Sequence, residues 1–236
     1  MFKILQRKKI HTYPPFTISL SYYNDGDFLM NQIAAFREYL NEIKIQIIDD
    51  GSQSDPIDQY INKIPKNISI YKITSDIAWN IPGVRNLGSM IASTPWILHL
   101  DMDHIVPKQS IKKILEIDFS KQKKFYSFNR KVNGKTKFTA GTLLISRDDF
   151  WSCGGYDEDF AGTYGHNDPY LRYKLNYFGV KEIKLKDVWL EDYGEEASCK
   201  LSRNEIERNQ ILMQKKIRQK EFFSKSIRFD WKKISR

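Results

Sequence analysis

With two cysteines in 236 residues, Cys153 and Cys199, the chain has too few for a disulfide framework and no CxxC pair of the kind that holds a metal. Both are read as free thiols. It also lacks any apolar run near the ~18 residues a transmembrane helix needs. Its opening, Met1-Phe2-Lys3-Ile4-Leu5-Gln6-Arg7-Lys8-Lys9, has no apolar core followed by small residues, so the expectation is a cytoplasmic chain without a signal peptide. Internal repeats and low-complexity linkers are absent, which excludes fibrous and solenoid architectures. Apolar residues, at 41% before the 12 glycines are added, come close to the globular norm and exclude intrinsic disorder. The length suffices for one large domain or two small ones.

The formal charge of +9 is uneven. Residues 201–236 hold eleven Lys/Arg against four Asp/Glu and so carry +7, leaving about +2 for the other 200 residues. Basicity therefore speaks for the tail and not for the domain. A nucleic-acid-binding module working through that tail is one alternative, but no nucleic-acid motif accompanies it and no nucleic-acid partner is expected.

The organisation reads as alternating strands and helices. Residues 16–22 alternate among strand formers, and Asn24-Asp25-Gly26-Asp27 supplies turn and N-cap chemistry for a helix whose apolar face is Phe28, Leu29, Ile33, Phe36, Tyr39 and Leu40. A strand at 43–48 closes a strand–helix–strand unit, which implies parallel strands. A short helix at 57–64, a strand at 68–73, a helix opened by Pro82 and running to about 93, and a short central strand at 96–100 follow. Strands at 125–129 and 138–146, a glycine-rich loop, a helix over 168–178 stopped by Gly179, and a strand at 181–189 come next. The tail predicts one long basic helix with a frayed end. The expected fold is α/β, a mostly parallel sheet flanked by helices, in a domain over 1–200 with a basic helical extension over 201–236.

Open α/β sheets bind ligands where strands end at their carboxyl edge. Three such ends are acidic or polar: Tyr22-Tyr23-Asn24-Asp25, Asp49-Asp50, and Asp101-Met102-Asp103. Carboxylates gathered at one edge repel each other unless a cation or a donor-rich ligand sits among them, which favours a metal or a nucleotide's base and ribose. Asp101 and Asp103, two apart after an extended strand, point the same way and can address one cation and the ribose together. His104 beside them either joins a metal shell or turns the chain, and His99, inside an apolar strand, reads as a core histidine. Arg85 opposes the helix dipole in a first turn, so an anionic partner, phosphate or carboxylate, explains it better than a solvated face does.

Taken in order, Ser21-Tyr22-Tyr23-Asn24, Asp49-Asp50-Gly51-Ser52, Gly83-Val84-Arg85-Asn86-Leu87-Gly88 and Asp101-Met102-Asp103 resemble the nucleotide-sugar half of GT-A fold glycosyltransferases of the family 2 type. Ala140-Gly141-Thr142, the stretch from Phe150-Trp151-Ser152-Cys153-Gly154-Gly155-Tyr156 to Phe160, and Gly165-His166-Asn167-Asp168 resemble an acceptor half. That half is shared with β-1,4-galactosyltransferases, chondroitin-type polymerases and polypeptide N-acetylgalactosaminyltransferases. The likeness runs from about residue 16 to 194. It departs from the family where Asn167-Asp168 replaces a Glu-Asp pair, and where Leu190-Glu191-Asp192-Tyr193 has acids in place of a late histidine.

The resemblance implies a GT-A, Rossmann-like domain with a nucleotide-binding half over about 16–104 and an acceptor half over about 120–200. It implies transfer of a sugar from a UDP-sugar donor to a hydroxyl of a glycan or related acceptor, with Mn²⁺ or Mg²⁺ as cofactor. The implied donor contacts are Tyr22, Asp49, Asp50, Arg85, Asp101 and Asp103. The metal would be held by Asp103, with Asp101 and Asp192 (or Glu191), and Gly141, His166 and Asn167 would lie at the sugar or acceptor. Asp168 is expected to be the base of an inverting reaction, against the plainer possibility that it only caps its helix. The loop 160–165 is either a wall for a sugar ring or an ordinary loop, and Trp79, Trp151 and Trp189 either stack on sugars or pack in the core. A sugar-nucleotide pyrophosphorylase is the enzymatic alternative, but it needs a basic glycine-rich loop where Tyr22-Tyr23-Asn24-Asp25-Gly26-Asp27 is acidic. In the tail, residues 204–223 predict a helix with Ile206, Ile211, Leu212, Ile217 and Phe222 toward the domain. Lys215, Lys216, Arg218 and Lys220 would then face solvent or an anionic membrane, placing the chain peripherally at a membrane surface.

Overall fold

The structure, a computed structural model, describes residues 14–192 and 203–234. His11, Tyr193 and Cys199 lie outside the described residues, so the free-thiol expectation is met for buried Cys153 alone. The first strand–helix–strand unit forms as its sequence predicts, with β1 (Phe16–Tyr22), α1 (Gly26–Phe36) and β2 (Lys44–Asp49). Asp25 caps α1 by accepting from Phe28 N at 3.1 Å, and Leu29, Ile33 and Phe36 bury the helix against the sheet. After β2 the predicted helix over 57–64 shrinks to one 3₁₀ turn at Ile57–Tyr60. Pro56 and Pro65 bracket that stretch, and a proline disfavours helical backbone in the residue before it.

Then follow β3 (Ser69–Ile73), α2 (Ile81–Ile91), β4 (Trp96–Leu100), a two-residue β5 (His104–Ile105), and α3 (Lys108–Ile114), a helix the sequence analysis does not anticipate. The strands β6 (Lys124–Val132) and β7 (Lys135–Ser146) form one long hairpin, turned at Asn133 and Gly134 with φ of 48° and 73°. The order closes with α4 (Arg147–Ser152), α5 (Asn167–Tyr177), β8 (Lys181–Asp192), α6 (Arg203–Gln219) and β9 (Trp231–Ile234). All nine strands join one sheet in the order β5-β8-β6-β7-β4-β1-β2-β3-β9. The stretch β4-β1-β2-β3 is parallel, and β7 and β9 border it antiparallel. One apolar layer, from Phe16 and Ile18 to Phe36 and Ile111, packs α1 and α3 on one face, while Phe150, Tyr156, Leu171 and Leu175 pack α4 and α5 elsewhere.

The C-terminal segment differs from the expected appendage. Its end is not frayed: β9 pairs antiparallel with β3, matching Ile70 to Ile234 and Ile73 to Trp231, and so covers a sheet edge. The expected face of α6 is also corrected. Ile206 and Ile211 are exposed, while Lys216 is buried with its Nζ 2.8 Å from Asp157 and 2.7 Å from Asp159. Lys215, Arg218 and Lys220 are exposed as expected. Phe222 packs with Phe160 and Tyr170, and Tyr170 Oη donates to the Glu221 carbonyl at 2.7 Å. A helical wheel sorts residues by hydrophobicity alone, and the acidic turn 157–159 outbids that pattern by needing a counter-charge.

Removing that counter-charge leaves the fully buried Asp157 carboxylate uncompensated. Lys216→Ala is expected to lower unfolding free energy by about 3 kcal/mol in a denaturant titration, against less than about 0.5 kcal/mol for Arg218→Ala.

Candidate active site

A cleft of about 450 Å³ opens at the carboxyl ends of β1, β2 and β4, where the topology reverses direction. Arg85 of α2 lies at its floor with only 2% of its surface exposed. Its Nη2 donates to Asp101 at the end of β4 and its Nη1 to Asp168 in the first turn of α5. Nη1 also donates to Tyr156 Oη at 2.7 Å, and Tyr156 Oη in turn donates to the same Asp168 oxygen, Oδ1, at 2.8 Å. Of the anionic partners expected for Arg85, the carboxylates are found within this chain, and Arg85 itself lines the cleft. Burial would push Asp101 up, but Arg85 and then His104 outweigh it and hold its carboxyl below the usual carboxylate range. The next residue of the motif faces the other way: Asn86 Nδ2 donates to the Tyr156 carbonyl and to Glu158, tying α2 to the loop before α5.

Gly141 explains how these groups fit. A Cβ there would lie 2.5 Å from Asp101 Oδ2 and 2.9 Å from Arg85 Nη2, so any larger residue on β7 would have to displace the ion pair. Gln32 of α1, which the sequence analysis overlooks, donates its Nε2 to the carbonyls of Met102 at 2.8 Å and His104 at 2.7 Å. It pins the loop that carries the acids. A buried glutamine in an otherwise apolar helix face was the available signal.

Asp101, Asp103 and His104 each offer one ligand atom, and these atoms all lie within 4.8 Å of one another. His104 Nδ1 is 3.7 Å from Asp101 Oδ2 and 3.9 Å from Asp103 Oδ1, and its ring also meets Thr142 Oγ1 at 3.1 Å. Two carboxylates and one imidazole suit a hard to borderline divalent cation such as Mn²⁺ or Mg²⁺, so the residues present fit one. His104, left open by the sequence, is therefore part of this donor set. Asp192 is brought close, across the β5–β8 pair from His104, but its Oδ2 accepts from Arg130 Nη1 at 2.7 Å and sits 3.9 Å from His104 Nε2. That ion pair sets it at the edge of the three-residue cluster.

Other expected contacts sort by side-chain direction. Asp50 lines the cleft, oriented by Asn80 Nδ2 at 2.9 Å, and burial pushes its carboxyl well above the usual range. Asp49, its neighbour, is turned away: its two oxygens accept from Ser52 N at 2.8 Å and Ile57 N at 3.2 Å, so it braces a loop. Tyr22 borders the cleft, with its ring largely buried and its Oη donating to the Asp55 carbonyl. Tyr23 is the exposed one, with Oη 3.1 Å from Asp76. Asn167 and Asp168 line the cleft, whereas His166 does not, sitting as the N-cap of α5 in left-handed backbone with φ of 61°. His166 stands at the N-cap position without a side-chain hydrogen bond to the helix, and the Asp168 carboxylate meets Arg85 and Tyr156. Trp79 and Tyr164 meet edge-on at the cleft rim, Trp151 packs against the core, and Trp189 lies outside the cleft. His99 is a core histidine, bonded to Ser89 and pushed well down by burial.

Two variants test this arrangement. In Arg85→Met the carboxylates lose their shared cation, with an expected loss of about 3–5 kcal/mol at neutral pH. Asp101 titrates lower folded than unfolded, so its contribution is present above the unfolded value of about 4 and is lost as pH falls through the depressed folded value. The stability gap between wild type and Arg85→Met should therefore narrow below about pH 4 in urea titrations across pH. Gly141→Ala should cost about 1–3 kcal/mol by overpacking, read by thermal unfolding.

No curated protein matches this chain in sequence. Solved structures match it in fold. TarS of S. aureus, residues 1–349, aligns with TM-score 0.60 and 15% identity over 75% of this chain and 60% of that one. GalNAc-T7 with UDP, GalNAc and Mn²⁺ aligns with TM-score 0.66 and 15% identity over 86% and 48%. The mannosyltransferase PcManGT from Pyrobaculum calidifontis, in complex with GDP-Man and Mn²⁺, aligns with TM-score 0.62 and 13% identity over 78% and 58%. The chain spans between 48% and 60% of the length of these structures. Among the described residues no helix is long and apolar enough to cross a membrane. The model of glycosyl transferase family 2 matches residues 17–169, and with the GT-A, Rossmann-like sheet around this cleft the chain belongs to that family.

Proposed function

We propose that the cleft binds a nucleoside diphosphate sugar, with UDP as the nucleotide, and transfers the sugar to a hydroxyl of a glycan or related acceptor with inversion. One observation carries this reading. A single buried guanidinium holds a carboxylate of the candidate metal cluster, Asp101, and a cleft-lining carboxylate from the other half of the fold, Asp168. That arrangement supports two chemical tasks side by side. Asp101, Asp103 and His104 would hold a divalent cation, which neutralises charge on the departing diphosphate. Asp50, set by Asn80, faces the place of the base and ribose, and Gly141 and Asn167 border the sugar. The donor half would cover about 16–104 and the acceptor half about 120–200. Two structures of similar fold were solved with a nucleotide or nucleotide sugar and Mn²⁺, GDP-Man in one and UDP with GalNAc in the other, which supports a nucleotide-sugar donor with a divalent cation.

Asp168 takes the proton of the attacking hydroxyl. Its Oδ1 is occupied by Arg85 and Tyr156, and 21% of its side chain is exposed to the cleft, which leaves Oδ2 as the oxygen that can face an acceptor. Arg85 and Tyr156 fix the carboxylate's orientation by binding Oδ1.

A panel of UDP- and GDP-sugars, with and without Mn²⁺, tests the donor by slow hydrolysis. Asp168→Asn is expected to lower transfer by at least about 10²-fold while Mn²⁺-dependent UDP binding persists, and the wild-type product should be inverted by NMR. Near-normal transfer removes Asp168 as the base, and a retained configuration removes the inverting mechanism. Asp103→Ala should abolish the Mn²⁺ dependence of UDP affinity in calorimetry, whereas unchanged dependence excludes Asp103 as a ligand.

A further inference from the structure

The family match ends at residue 169, yet one wall of the cleft is tied to a helix well beyond it. That wall is the loop 160–165, which lines the cleft with Phe160, Thr163, Tyr164 and Gly165 and leads into Asn167 and Asp168. Its path is sharply curled, for Gly162, Gly165 and His166 all have positive φ, of 94°, 92° and 61°. Carbonyls that converge in such a curl are unfavourable unless a donor stands among them. Here the donor is Asn209, fully buried within α6, although asparagine is a poor helix former. Its Nδ2 lies 3.1 Å from the Phe160 carbonyl, 2.9 Å from that of Thr163 and 3.0 Å from that of Gly165, so its two hydrogens are shared among three acceptors. Its Oδ1 accepts from Thr163 Oγ1 at 3.1 Å and from Arg208 Nη1 at 2.8 Å. The same Arg208 nitrogen reaches the Ala161 carbonyl at 3.2 Å.

The loop so held reaches across the cleft mouth. Gly162 N donates to the Ala78 carbonyl at 2.7 Å, and the Tyr164 ring meets Trp79 with centroids 5.1 Å apart and planes at 69°. Both rings line the cleft and stay exposed, and Trp79 itself has a φ of 49°, which a bulky residue adopts only at a cost. Elsewhere α6 packs Leu212, Met213 and Ile217 against Phe160, Tyr170 and Phe222, so an apolar residue was the simpler way to fill space at 209. A buried amide is favourable only where its hydrogen bonds are met, and every bond of Asn209 named above is to the cleft loop or to Arg208, which binds that loop too.

We infer that Asn209 is a positioning residue for the transfer reaction: through the carbonyls of the 160–165 loop it sets Tyr164 against Trp79, so that α6 is a working part of the cleft. The inference rests on the glycosyltransferase reading of the cleft and adds to it a residue outside the segment that the family model matches.

Amide hydrogen exchange on the full chain, without ligand, tests the brace. In Asn209→Leu, which fills the space but removes the donor, the amides of residues 161–168 are expected to exchange at least about tenfold faster, while those of β1 and β4 keep their wild-type rates. Arg208→Ala, made from the exposed surface, should speed the same segment by a smaller factor and keeps the test open if Asn209→Leu does not fold. Arg218→Ala, on the exposed face of the same helix, should leave it unchanged. Wild-type exchange in both Asn209→Leu and Arg208→Ala, or faster exchange spread evenly over the sheet, overturns the inference. The second readout is UDP release at saturating UDP-sugar, using the donor that wild type cleaves. Asn209→Leu should lower it about tenfold while Mn²⁺-dependent UDP affinity stays within about twofold, a split that general destabilisation does not produce. Tyr164→Ala should lower it as well, and the double variant should lose no more than the worse single variant, because both act through one loop. Unchanged release in Asn209→Leu, or losses that multiply in the double variant, also overturns the inference. If wild type binds no UDP with Mn²⁺, the donor reading fails by itself and hydrogen exchange still decides whether Asn209 holds the cleft wall.

Discussion

Arg85 is the constraint around which the cleft is built. A guanidinium taken out of water needs its charge and its donors answered, and here the answers come from the end of β4, the first turn of α5 and the loop that carries Tyr156. These three pieces are distant in sequence, so the ion pairs fix the spacing of the two halves as much as they fix any one side chain. The same need explains Gly141, whose missing Cβ makes room for the pair, and Asn86, which clamps the next loop from the adjacent helix position. A bidentate planar cation suits this task better than lysine, because its two terminal nitrogens reach separate carboxylates in fixed geometry.

Orientation follows from that frame. With Oδ1 of Asp168 bound twice, the carboxylate cannot rotate freely, and with Oδ1 of Asp101 bound by Arg85 its Oδ2 turns toward His104. Gln32 holds the intervening loop from beneath through two carbonyls. The proposed transfer, which would bring a cation, a diphosphate and an attacking hydroxyl together, would gain from such restraint, since rates depend steeply on alignment.

The C-terminal segment and the hairpin show how average charge misleads. The tail carries most of the net charge, yet its central lysine is consumed by Asp157 and Asp159 and its last strand completes the sheet. The β6–β7 hairpin belongs to a stretch that looks balanced when summed with its neighbours, although residues 121–147, which contain it, include no acid. Some acids elsewhere in the sum, such as Asp49 and Asp157, are buried and internally satisfied, while Asp192 pairs with Arg130 of the hairpin itself.

Local pattern alone determined much of this protein. Strand alternation in β1, the Asp25 cap, Pro82 in the first turn of α2, and acids two apart after β4 are each readable within a few residues, because backbone preference and pleat periodicity act at that range. They sufficed for the α/β class, the ligand edge, and the choice of Asp101 and Asp103 as cleft residues, while the choice of Asp50 and Asp168 drew on the family resemblance. Only tertiary structure decided between neighbours that look alike in sequence. Asp49 braces a loop while Asp50 faces the cleft, Tyr22 is buried while Tyr23 is exposed, and Lys216 is buried while Lys215 is not. Those choices depend on which partner waits across 30 to 80 residues of chain, as Asn80 does for Asp50 and Asp168 for Arg85. A charge or a hydroxyl has no periodicity to betray its direction, and long-range pairing of buried polar groups is what settles it.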